Sequence, residues 1–374
     1  MRIIVDALGL PAVGGARNSA LGWLRALAAQ GAENEYIVYV SRREEVLAAY
    51  PNVTQRVISI GNRFAVRLWA QAQLPPAVRR ERADLLHFTK NLGVVGAPCP
   101  TVVTVNDLTH LILADQYPAI DSAYWRYIQP WLLRRADGII AISESVKRDL
   151  LHWYDLDESR ITVIYPACAS HFHTRHSPEA LSALRERHGL RERLLLYAGG
   201  YGVHKNVKTL IHAMAHLATH IPHDLVLVGG YHHTTSDHHL EDLAEQLGVA
   251  DRVRFLGIVS DEDLAMLYQA ADLFVSASLN EGFGLVFLES MISGTPVVAA
   301  ARGAAAEVVG EAGRFVDDAL DSVTFSSAIL DVLSCPQTLA QLKEKSLSQS
   351  RLYSWEKTAA ATLNLYRQLV GDGS

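Results

Sequence analysis

Short apolar runs alternate with amphipathic ones along this 374-residue chain, lapse once near the middle, and then start again. No other feature constrains its fold as strongly. In the first half, residues 3–6, 36–40, 57–60, 84–88, 102–105, 138–142 and 161–164 read as strands, and 20–30, 124–135 and 144–154 as helices. Strand and helix taking turns imply a parallel sheet covered on both faces. The pattern fades after Tyr165-Pro166, and Ser177-Pro178 marks a break. It resumes with strands at 194–197, 225–228, 253–256, 273–277 and 297–300 and a helix over 207–219. The expected division is therefore a first domain over 1–170, a linker over 171–192, a second domain over 193–354 and a closing amphipathic helix from 355 to 374.

Doubly wound sheets bind ligands outside the carboxyl ends of their strands, so the loops that follow strands are where chemistry is expected. The run Ser278 to Ser290 is the richest of these, with two carboxylates, Glu281 and Glu289, eight positions apart across a glycine loop. An apolar strand precedes it, and a helix over 285–293 closed by Gly294 follows. Gly282 and Gly284 let backbone approach a ligand closely, and the helix start offers N–H groups to an anion. Gly14-Gly15 sits in the same place after the first strand. Gly199-Gly200-Tyr201-Gly202-Val203-His204-Lys205-Asn206 does so after the first strand of the second half.

Composition narrows the function classes. A net charge of −6 and a pI near 6.2 give no support for nucleic-acid binding. Three widely spaced cysteines, Cys99, Cys168 and Cys335, suggest neither a disulfide framework nor a zinc motif and fit a reducing cytoplasm. The N-terminal segment reads as a strand rather than a signal peptide, and no apolar run is long enough to span a bilayer. Neither a G-x-G-x-x-G fingerprint nor a P-loop occurs, which counts against nicotinamide dehydrogenases and P-loop kinases. His212, His216 and His220 share a helix face, and His232, His233, His238 and His239 crowd a loop. Both groups read as solvated surface because no carboxylate or cysteine completes a metal site.

The Glu281 to Glu289 spacing resembles the Glu-x7-Glu signature of retaining glycosyltransferases of the GT4 family. The likeness extends through Phe255-Leu256-Gly257, Ser260 to Leu264, Tyr268, Ala271-Asp272, Gly294-Thr295-Pro296, Glu307, Ala312-Gly313 and Ser354-Trp355, all in the family's order. It implies the GT-B fold: two Rossmann-like α/β domains facing across a cleft, with the C-terminal helix crossing back to the first. It also implies a nucleotide-sugar co-substrate and no cofactor or catalytic metal. Lys205 would stabilise the departing diphosphate, with Gly200 and His204 around the phosphates and the backbone of Gly14 and Gly15 approaching the donor's phosphate or the acceptor. Glu281, Gly282, Phe283, Gly284 and Leu285 would hold the sugar, Glu289 the ribose, and Asn106 would complete the catalytic set.

The chain departs from the family pattern in two stretches. Gly200 and His204 stand where many members carry an arginine, and Asn106-Asp107 stands where relatives often have His-Asp. These departures keep a nucleotide-sugar-binding pseudoenzyme open beside the transferase, and a GT-B nucleotide-sugar epimerase is a further alternative. The stretch 103–109 resembles bacterial mannosyltransferases of surface polysaccharide (O-antigen) assembly. That makes GDP-mannose the first donor expected and a saccharide or polyprenyl-diphosphate-linked saccharide the acceptor. Arg63, Arg67, Trp69, Arg79, Arg80 and Arg82 form a basic, partly aromatic stretch that would suit peripheral contact with the inner membrane face. The cluster Tyr124, Trp125, Tyr127 and Trp131 reads as helix packing.

Overall fold

A computed structural model describes residues 1–10, 14–60, 62–231 and 239–371. The chain divides into two compact units. The first comprises residues 1–114, 118–168 and 353–374, and the second comprises 115–117 and 169–352.

In the first unit, strands β1 (Arg2–Ala7), β2 (Glu35–Val40), β3 (Val53–Val57), β4 (Leu85–Phe88), β5 (Thr101–Val105), β6 (Gly138–Ala141) and β7 (Ile161–Val163) form a parallel sheet in the order β3-β2-β1-β4-β5-β6-β7. Neighbouring residues along each central strand go to opposite cores, as a two-residue side-chain period requires. Ile4, Leu86, Val103 and Ile139 pack on one face with Leu74, Leu133, Val146 and Leu150. Ile3, Leu85, Val102 and Ile140 pack on the other with Leu24, Leu27, Leu363 and Tyr366. The last two belong to the Trp355–Val370 helix, so the C-terminal helix covers this sheet. Its seat includes polar bonds: Trp23 Nε1 donates to Thr362 Oγ1 at 3.2 Å, and Tyr366 bonds buried His87. Burial pushes the His87 imidazole down to about 3, so it stays neutral.

The second unit holds β8 (Leu194–Ala198), β9 (Asp224–Val228), β10 (Val253–Gly257), β11 (Leu273–Ser276), β12 (Val297–Ala300) and β13 (Gly313–Val316), parallel and ordered β10-β9-β8-β11-β12-β13. In each sheet the strand order reverses at one place, between β1 and β4 and between β8 and β11. These are the topological switch points where open α/β sheets leave a crevice.

Three expectations require correction. The third strand is Val53–Val57, not 57–60. It is a sheet edge with one covered face, so it shows a mixed pattern rather than an apolar run. Residues 171–192 are not a plain linker, because they contain the Pro178–His188 helix. That helix is anchored to the second unit by Arg185, which donates to Ala270 O at 3.2 Å, and by Arg187 and His188, both bonded to Asp263. Finally, Tyr124–Ile128 forms a π-helical turn. This wider turn breaks the expected packing face: Trp125 is buried, while Tyr127 and Trp131 are exposed.

Candidate functional site

The loops after β8 and β11 flank the switch point of the second unit and carry most of the residues singled out from sequence. Lys205 closes a short 3-10 turn, Val203–Lys205, which ends in Asn206 at φ 50°. Left-handed backbone is costly for a residue with a side chain, and three contacts hold Asn206 there. Its amide donates to Ala277 O at 3.1 Å and to Ala319 O at 2.7 Å, and its Oδ1 accepts from Thr209 Oγ1 at 2.9 Å. Leu279 N donates to His204 O at 2.8 Å, stitching the two loops together.

Across this seam Lys205 Nζ meets Glu281 Oε1 at 2.6 Å. Ser278 Oγ donates to the same oxygen at 2.9 Å. The two charged side chains keep 21% and 11% of their exposure, so this is no surface ion pair of negligible strength. It is a desolvated cation and carboxylate at the carboxyl end of a parallel sheet, where a polar ligand is expected to sit.

Glu281 is held from behind as well. Ala304 N donates to its carbonyl at 2.9 Å, and Gly303, at φ 56°, lies so close that a Cβ there would collide with the Glu281 backbone. Sequence reasoning did not single out Gly303. Its signal was available, since, like the chosen glycines, it lies in the loop that follows a strand, here β12.

The Leu285–Ser293 helix starts as expected, with Gly284 at φ 80° and no side-chain cap. A Cβ on Gly284 would strike the Phe287 ring. The far end is closed by Gly294 in left-handed conformation and by Arg175, which donates to Ser293 O at 2.6 Å and Ile292 O at 3.0 Å. Phe283 is buried, and Gly282 and Leu285 are partly buried. Glu289, one turn into the helix, accepts from Tyr268 OH at 2.9 Å rather than joining the Lys205 and Glu281 pair. Burial raises its carboxyl to about 7, against the opposing hydrogen bond from Tyr268.

Gly200 O accepts from Tyr197 OH at 2.8 Å. The His204 ring packs over Gly202, and its Nδ1 lies 3.3 Å from Tyr117 OH.

Gly14, Gly15 and Asn106 belong to the first unit. Gly14 takes φ 103° and opens the Gly15–Gln30 helix without a side-chain cap. The nearby Arg17 guanidinium is committed to Glu44. Asn106 N donates to Asn91 Oδ1 at 2.9 Å. His232, His233 and His238 lie outside the described residues, and among the described residues no group of three His, Cys, Asp or Glu could hold a metal ion.

Residues 13–171 match the model of Glycosyltransferase Family 4, and 183–349 match that of Glycosyl transferases group 1. An O-antigen chain mannosyltransferase B of Escherichia coli is 30% identical over 78% of this chain and 76% of its own length. A D-inositol 3-phosphate glycosyltransferase of Corynebacterium efficiens is 31% identical over 66% of this chain, and the match spans 60% of that relative. Among solved structures, the sucrose-phosphate synthase of Thermosynechococcus elongatus superposes with a TM-score of 0.81 over 98% of both chains at 23% identity, a likeness of fold. Two parallel Rossmann-like sheets, the loops gathered at their switch points and these matches together place the chain in glycosyltransferase family 4, with the GT-B fold.

Proposed function

We propose that the protein is a retaining glycosyltransferase that moves a hexose, mannose from GDP-mannose first, onto a saccharide or lipid-linked saccharide acceptor in polysaccharide assembly. The observation that carries this reading is the Lys205 to Glu281 contact at the β8/β11 switch point. When a nucleoside diphosphate leaves, negative charge grows on its β-phosphate. A fixed ammonium then stabilises the transition state more than the ground state. Glu281 keeps Lys205 in place until the diphosphate competes for it, and then holds sugar hydroxyls together with the backbone of Gly282 to Leu285. Glu289 receives the ribose hydroxyls. Retention follows if the leaving phosphate itself takes the acceptor's proton on the same face of the sugar, in which case no carboxylate acts as nucleophile.

The mannose assignment leans on the O-antigen relative. The inositol phosphate relative keeps other hexose donors and phosphorylated acceptors in view. The reaction is proposed to need no metal, and turnover that survives EDTA would support this. Incubation with GDP-mannose, UDP-glucose and other hexose donors, with release of free diphosphate followed by mass spectrometry, tests the whole reading. Transfer or slow hydrolysis of one donor supports it. Binding without turnover on every donor, with acceptors supplied, favours the pseudoenzyme.

Among the described residues no helix is long and apolar enough to cross a membrane. Peripheral contact is proposed through the first unit. Trp69 is partly buried against Tyr39, with ring centroids 5.6 Å apart, and does not serve as an anchor. Phe64, Leu68, Tyr127, Ile128 and Trp131 are exposed instead. Arg67 stacks on Tyr124 at 3.6 Å and Arg135 on Trp131 at 4.1 Å. Flotation with anionic liposomes at low salt tests the idea, and absence of binding would remove it.

A further inference from the structure

Residues 115–117 lie between β5 and β6 in the chain and yet belong to the second unit. A 3-10 turn over Ala114–Gln116 leads to Tyr117, and Pro118 follows it. A residue before proline is pushed out of helical backbone, so the chain bends at Tyr117 instead of winding on. The side chain is partly buried there, with its hydroxyl 3.3 Å from His204 Nδ1.

His204 is held on other sides as well. It is the middle residue of the Val203–Lys205 turn, which is closed by the bond from Lys205 N to Gly202 O at 2.8 Å. Its carbonyl accepts from Leu279 N at 2.8 Å. Its ring covers Gly202 so closely that a Cβ there would strike Cε1 and Nδ1. The imidazole is therefore fixed in place one residue before Lys205, the cation that meets Glu281.

A neutral imidazole carries one N–H, and the bond made by one ring nitrogen decides which nitrogen bears it. A phenol is a good donor and a bare imidazole nitrogen a good acceptor. When Tyr117 donates to Nδ1, the hydrogen sits on Nε2, and Nε2 becomes a donor suited to a phosphate oxygen. The opposite tautomer would present a lone pair in its place and oppose an anion.

We propose that Tyr117 is a positioning residue for the donor's diphosphate: it locks His204 in the Nε2–H tautomer, so that a neutral side chain adds a hydrogen-bond donor next to the Lys205 charge. This role rests on the transferase reading and deepens it by naming a residue outside the two glycine loops.

Calorimetry on the full-length protein compares GDP and UDP with GMP and UMP. The ratio of affinities isolates the contribution of the second phosphate, and the monophosphate value reports an intact site. Tyr117→Phe keeps the ring and removes the hydroxyl. It should cut the diphosphate preference about fivefold, the scale of one hydrogen bond, and leave monophosphate affinity unchanged. A guanidinium has no tautomer to set, so in a His204→Arg background the same change should leave the preference unaltered. An equal loss in both backgrounds overturns the proposal. Diphosphate binding that ignores Tyr117→Phe sinks this inference alone, whereas absence of nucleotide binding to the wild type sinks the transferase reading beneath it. The wild-type protein supplies a second measurement. Imidazole nitrogen NMR of histidine-labelled protein, with the His204 signals assigned by their loss in His204→Gln, should show the hydrogen on Nε2 and a bare Nδ1. A hydrogen on Nδ1 contradicts the assignment whatever the variants do.

Discussion

The two switch points share an architecture and differ in electrostatics. Between β8 and β11 a lysine and a carboxylate meet at 2.6 Å, and the loops that bear them are stitched together and backed by Asn206 and Gly303. Between β1 and β4 the charged groups stand apart. Lys90, in the loop after β4, has no ion-pair partner among the described residues, and Asp6 is buried with one carboxylate oxygen without a hydrogen bond. A paired site is satisfied until a ligand displaces one partner, whereas an unpaired site bears a standing cost. The first arrangement suits a diphosphate that competes for Lys205.

The largest expected effect breaks the paired site. Lys205→Ala should lower turnover by about 100-fold or more, the scale found when a single group that stabilises transition-state charge is removed, and should weaken donor binding much less. Equal losses in donor affinity and in turnover at saturating acceptor would contradict a transition-state role. Gly303→Val should be nearly as damaging, because it forces a β-branched residue to φ 56° and drives a Cβ into the Glu281 backbone. Thermal unfolding and turnover should fall together, and an unchanged melting temperature would mean that the Gly303 contact is not tight.

The next effect concerns the unpaired site. Burial raises the Asp6 carboxyl from 3.8 to about 6, against one backbone bond from Leu8. A carboxyl raised in this way favours the folded state only while protonated. Its stabilising contribution is complete below 3.8 and is lost as pH rises through about 6. Asp6→Asn should therefore raise the melting temperature at pH 8, by a few degrees for a gain of at most about 3 kcal/mol, and should give no gain at pH 4. A drop at pH 8, read by calorimetry, would show that the ionised carboxylate is serving as a counter-charge in that crevice.

The smallest effect sharpens the paired site. Glu289 is raised from 4.5 to about 7, so its ionised form becomes dominant only above neutrality. If it accepts ribose hydroxyls, nucleotide affinity should improve several-fold from pH 6 to pH 8. Glu289→Gln should flatten that dependence relative to the wild type. Parallel pH profiles for the two proteins would detach Glu289 from the nucleotide.

Much of this was legible in the sequence, but unevenly. Buried central strands announce themselves as β-branched runs, and the helix over Leu285–Ser293 was marked at both ends by glycine. The edge strand β3 was misplaced because half of its surface is solvated. The Pro178–His188 helix was missed because its hold on the second unit is polar, through Arg185, Arg187 and His188 rather than an apolar stripe. Lys205 and Glu281 were legible because each sits in a glycine-marked loop that resembles a motif of the family. Their direct contact was not, since it joins residues 76 positions apart. Tyr117 carried no local signal at all. Its significance comes from the fold, which makes residues 115–117 part of the second unit and brings Tyr117 to His204, 87 positions away.

The most direct test of the account is a crystal structure of the protein with GDP or UDP bound. The β-phosphate is expected within hydrogen-bonding distance of Lys205 Nζ at the β8/β11 switch point, with the ribose on the Glu289 side. A diphosphate seated against Lys90, with the Lys205 and Glu281 contact intact and the second unit empty, would contradict it.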